Sequence, residues 1–81
     1  MKIKAYSYDK ESDRLNVTFD GVEGDSFTKQ IADGVFLLKC MVTEKLNGLI
    51  VEKASIDTAL KQKAITDAEI TDVDIVSMIG D

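Results

Sequence analysis

Histidine, tryptophan and proline are absent from this 81-residue chain, and cysteine occurs once. Without histidine the side chain whose ordinary pKa lies nearest neutrality is gone, and with it the commonest general base and metal ligand. A lone cysteine, Cys40, excludes an intrachain disulfide and leaves no thiolate set for zinc. No apolar run approaches the roughly 18 residues needed to span a bilayer. The opening Met1-Lys2-Ile3-Lys4 alternates instead of leading into an apolar leader core, so we expect a cytoplasmic protein with no membrane association. The length accommodates one small core, which predicts a single domain over residues 1–81.

Basic charge is missing from one region only. Every Lys and Arg precedes residue 66, where ten carboxylates balance them, while Asp67, Glu69, Asp72, Asp74 and Asp81 account for the whole net charge of −5. A neutral body with an acidic end lacks the clustered cations that grip phosphates, which argues against direct nucleic-acid binding. Asp67, Glu69, Asp72 and Asp74 form instead a candidate surface for a basic protein partner.

What the chain does contain is period-two alternation punctuated by turns. Residues 2–8 alternate loosely, and residues 14–20 set Leu15, Val17 and Phe19 against Asn16 and Thr18, the pattern of a half-buried strand. The polar segment 9–13 joins these two strands as a hairpin, and residues 20–25, with two glycines, turn the chain toward a third strand over 26–31. Asp33-Gly34 predicts a type I′ turn, followed by a fourth strand over 35–43. Asn47-Gly48 predicts another turn, with a fifth strand over 49–54. Beyond it, Ile56, Ala59 and Leu60 predict a short amphipathic helix over 56–63 with Ser55 as N-cap. Thr66-Asp67-Ala68-Glu69 matches a capping box and predicts a second helix reaching Ile79, with Gly80 as its stop. A sixth strand over 70–76 is the rival reading, from the β-branched Ile70, Val73 and Ile75. The expected fold class is α+β: a five-stranded antiparallel β-meander over about residues 2–54, followed by one or two C-terminal helices over about 55–79.

The strings Tyr8-Asp9-Lys10-Glu11-Ser12-Asp13-Arg14-Leu15, Ile31-Ala32-Asp33-Gly34-Val35 and Gly48-Leu49-Ile50-Val51-Glu52-Lys53-Ala54-Ser55 resemble the small prokaryotic proteins grouped as domain of unknown function 2283. The resemblance spans about residues 1–55 and rests on turn and strand punctuation. It implies a small β-meander with a helical cap, sometimes associated with mobile elements or toxin-like neighbours, and carries over no catalytic residue.

Constellations that could carry chemistry are few. Asp9, Glu11, Asp13 and Asp20 fall at positions 1, 3, 5 and 12 of a calcium loop, yet Arg14 occupies the position that requires glycine. Asp72 and Asp74 form a carboxylate pair, but an acid-base pair requires a desolvated pocket that an exposed helix does not supply. Cys40, among Phe36, Leu38 and Val42, reads as a small buried hydrophobe. Tyr6 and Tyr8 share a strand face with Lys4 and read as cross-strand packing. The glycine-containing stretch 21–24 lacks the lysine of a phosphate loop, and no metal, cofactor or nucleotide is expected.

The fourth strand is apolar on both faces, with Phe36, Leu38, Cys40 and Val42 on one and Val35, Leu37 and Met41 on the other, broken only by Lys39. We expect the first set to meet the chain's own helices, and Val35, Leu37 and Met41 to form the interface of a homo-oligomer. The expected function is a non-catalytic, self-associating protein-interaction module. An acidic inhibitor or antitoxin-like protein from a phage or mobile element, blocking a basic nucleic-acid-binding site, is the alternative. A carboxylate-based hydrolase ranks last.

Overall fold

The computed structural model describes residues 3–20 and 25–80, so the expected turn at 21–24 lies outside the described residues. Five strands, β1 (Ile3–Asp9), β2 (Arg14–Phe19), β3 (Ser26–Ala32), β4 (Val35–Cys40) and β5 (Leu46–Glu52), form one antiparallel sheet followed by helices α1 (Thr58–Asp67) and α2 (Ile75–Ile79). The α+β class and the strand count agree with expectation. The strand order is β1-β2-β5-β4-β3, which departs from a sequential meander because β5 inserts between β2 and β4. The reason lies in composition. In β5, Leu46, Gly48, Leu49 and Val51 are all buried, so this strand needs neighbours on both sides, whereas the largely exposed β1 and β3 take the edges.

Register fixes what each face carries. Leu15 pairs with Val51 and Val17 with Leu49, and across the next ladder Val35 pairs with Val51 and Leu37 with Leu49. These six side chains share one face with Phe19, each no more than 4% exposed. Ile65 of α1, Ile70 and Val73 of the following connection, and Ile75 and Met78 of α2 close over them. Each fully buried side chain of this kind contributes about 1.5–3 kcal/mol.

Turn positions differ from expectation in two places. The β3–β4 hairpin does turn at Asp33-Gly34, but only Gly34 has positive φ (77°), so the turn is not type I′, which needs both central residues there. A Cβ on Gly34 would lie 2.8 Å from the Glu52 carbonyl oxygen, which accounts for glycine at this position. Asn47 and Gly48, expected as a turn, lie inside β5, and the chain reverses at residues 41–45 instead, with Glu44 at φ 58°. Gly48 allows a close approach: an added Cβ would meet the Val17 oxygen at 3.0 Å and the Leu38 side chain at 3.2 Å.

The helical layer departs further. Ile56 and Leu60, expected on the buried stripe, are 53% and 69% exposed, and α1 turns Lys61 and Ile65 inward. Its N-cap is Asp57 in the left-handed region, not Ser55. Thr66 and Asp67 end α1 instead of starting a second helix, residues 68–74 are irregular, and α2 is a five-residue helix whose N-cap Asp74 accepts from the Ser77 amide. Gly80 is its C-cap, as expected, and residues 70–76 form no strand.

Candidate functional site

The expected interface is reversed on β4. Val35 is fully buried and Leu37 is 4% exposed, both under the chain's own helices, so neither is available to a partner. Met41 lies beyond the strand end, in the 41–45 turn, and is 62% exposed beside Val42 at 89%. Both faces of β4 are apolar, so alternation gave the two sets but no preference for which set the helices cover.

The face turned away from the helices is built as follows. Phe36 of β4 pairs with Ile50 of β5, Leu38 pairs with Gly48, Asn16 and Thr18 of β2 lie opposite Ile50 and Gly48, and Gln30 and Thr28 of β3 lie opposite Phe36 and Leu38. The centre of the face is therefore a half-buried apolar patch of Phe36, Leu38 and Ile50, with Leu38 lying over Gly48. Uncharged amides and hydroxyls surround the patch, and Asn47 donates to Ser26 at one end. Asp9, Arg14 and Glu52, paired in one row, are the charged residues the register places here, and they sit together at the opposite end. Sequence reasoning assigned Phe36 and Leu38 to the core and did not single out Ile50; its alternation with Leu49 and Val51 was the available signal.

A second cluster joins the first hairpin to the corner between β5 and α1. Asp13, at φ 54°, accepts from the Tyr8 hydroxyl at 2.6 Å and from the Ser55 amide at 3.1 Å, and the Ser55 hydroxyl also donates to it. The Asp13 carbonyl accepts from the Ala54 amide at 2.9 Å. Lys61 Nζ, on α1, donates to the Lys53 and Ile56 carbonyls, each at 2.6 Å, filling acceptors where Lys53 and Asp57 are both left-handed. The Ser55 and Tyr8 hydroxyls, with smaller contributions from the Ser55 amide and then the Lys61 charge, hold the Asp13 carboxyl below its ordinary value, and Asp13 in turn raises Tyr8. A carboxylate so stabilised is a weak proton acceptor, so the Ser55 hydroxyl gains little activation from it. The cluster's chemistry is that of a clamp between two chain segments.

The remaining candidates are dispersed. Asp67, Glu69, Asp72 and Asp74 are all exposed, and Asp74 is engaged in capping α2. Cys40 is buried at the end of β4, where the Thr43 amide and hydroxyl and the Val42 amide stabilise its thiolate and lower its pKa. Among the described residues no group of three or more His, Cys, Asp or Glu is placed to hold a metal ion, and no helix is long and apolar enough to cross a membrane. Comparison with protein-family models, curated proteins and solved structures finds no match to this chain.

Proposed function

We propose that the protein is a non-catalytic interaction module that self-associates through the helix-free sheet face, with Phe36, Leu38 and Ile50 at the centre of the contact. The observation that carries this reading is the distribution on that face: three apolar side chains in the middle, uncharged polar groups around them and, among the described strand residues, charge at one end only. A second copy is the partner such a face suits, because two chains of net charge −5 meet there with little like charge in the contact. Five strands spaced about 4.8 Å apart, each about 20 Å long, give a footprint of roughly 450–500 Å² per copy, about 900–1,000 Å² for two copies, which lies at the low end for specific contacts. Association along the sheet edges is disfavoured, since β1 and β3 each carry a register irregularity and a lysine, Lys4 and Lys29. The acidic end is not needed by this reading.

Sedimentation velocity at micromolar concentration tests it. The expected result is a species of twice the 8.9 kDa chain mass. Leu38→Asp and Ile50→Asp are expected to give folded monomers, and Met41→Asp to leave the dimer intact. A wild-type protein that stays monomeric, or a dimer indifferent to Leu38→Asp and Ile50→Asp, overturns the proposal.

A further inference from the structure

Helix α1 packs against β3 and β4, but it covers their helix-facing side only in part. On that side Lys29 pairs with Leu37 and Phe27 with Lys39, so Lys29 and Lys39 sit diagonally on the same face as the core residues Val35 and Leu37. A half-open cleft of about 620 Å³ lies between these strands and the end of α1. Its floor is apolar, made by Ile31, Leu37, Leu46 and Ile70, and Ala68 closes the helix side. Three ammonium groups, Lys29, Lys39 and Lys45, line it against two carboxylates, Asp20 and Glu44. Among the described residues the lining is therefore net positive, in a chain whose net charge is −5.

Packing of the core does not call for this arrangement. Lysines on the helix-facing side of β3 and β4 shorten the apolar face and leave Ile31 half-buried. They are placed to meet a ligand with an apolar body and one anionic group, and the volume falls within the usual range for small-molecule sites. We propose that this cleft binds an amphipathic monocarboxylate, its hydrocarbon chain on Ile31, Leu46 and Ile70 and its carboxylate between Lys29 and Lys39. The site lies across the sheet from the self-association face, so it stands or falls independently of that contact.

Dodecanoate is the probe, titrated below its micelle concentration into the full-length protein and followed by amide and methyl NMR shifts. Saturable shifts are expected at Ile31, Leu46 and Ile70, with Phe36 and Ile50 unmoved. A charge-assisted hydrogen bond is worth about tenfold or more in affinity, so dodecanol and dodecylammonium are expected to bind at least that much more weakly. The double variant Lys29→Gln/Lys39→Gln should lose about tenfold or more by the same reasoning, while its circular dichroism stays that of the wild type. Ala68→Trp, at an exposed position on the helix side, narrows the cleft while leaving both lysines in the chain and should weaken binding. Absence of saturable shifts, equal affinity for the ammonium probe, undiminished binding to either folded variant, or shifts centred on Phe36 and Ile50 would each overturn the proposal. The comparison of three head groups on the wild-type chain decides the question even where a variant fails to fold.

Discussion

At the scale of single residues, Asp13 matters most for how stability responds to pH. It is a hairpin-turn residue in the left-handed region, where aspartate is better tolerated than most side chains, and its carboxylate ties that turn to Ser55. Because its folded pKa is depressed, ionised Asp13 contributes stability that is fully present above its unfolded pKa and is lost as pH falls through the folded value. Tyr8 acts in the opposite sense: its folded pKa is raised, so its contribution is present below the unfolded value and lost as pH rises through the folded one. Asp13→Asn should therefore lower the urea midpoint at about pH 7, and the gap to wild type should close as pH falls through and below the ordinary carboxylate range. The remaining carboxylates titrate in both proteins and cancel in the comparison. A gap that is constant across this range would mean that the contacts of Asp13 do not depend on its charge.

At the scale of elements, α2 is too short to persist on its own, since isolated helices below about 12 residues are marginal. Two things hold it: burial of Ile75 and Met78, and the amide side chain of Gln62 on α1. That side chain accepts from the Ile75 amide at 2.9 Å and donates to the Val73 carbonyl at 2.9 Å, joining α1 to the first residue of α2. Gln62→Ala leaves both backbone groups unpaired in a partly buried site and should cost about 1–3 kcal/mol. Hydrogen exchange should quicken through residues 75–79 before it quickens in β5, and uniform loss of protection would show that α2 does not open separately. Nothing in the sequence marks Gln62, because a polar residue at helical spacing reads the same whether it faces water or a neighbouring backbone. The strands were legible for the converse reason. In β2, Leu15, Val17 and Phe19 alternate with Asn16 and Thr18, and only one arrangement places the polar set outside. In β4 both arrangements place apolar groups on each face, so the side facing the helices was not legible. The candidate face was lost with it, Phe36 and Leu38 having been assigned to the core and Val35 and Leu37 to the surface. The buried stripe of α1 was obscured because Lys61 uses a long cationic side chain to reach the carbonyls of Lys53 and Ile56, while Ile56 and Leu60 remain in water.

For the molecule as a whole, the proposed contact and the net charge act in opposition, and salt separates them. The face around Phe36, Leu38 and Ile50 attracts through apolar burial, which moderate salt leaves nearly unchanged, while two chains of −5 repel at long range. Much of that charge lies in Asp67, Glu69, Asp72 and Asp74, carried by the helical layer and its connection on the other side of the sheet, so in a face-to-face dimer the acidic ends point outward. Raising ionic strength from about 0.02 M to about 0.3 M shortens the screening length from about 20 Å to below 10 Å, and the repulsion between the two acidic ends should fade. The dimer should therefore tighten with added sodium chloride, and the thermal midpoint should rise with protein concentration, since association stabilises only the folded chain. An association driven by the acidic end gripping basic groups of a second copy would loosen over the same range. Sedimentation equilibrium at the two salt concentrations distinguishes them by sign alone, and weakening with salt would move the contact from the open sheet face to the charged end of the chain.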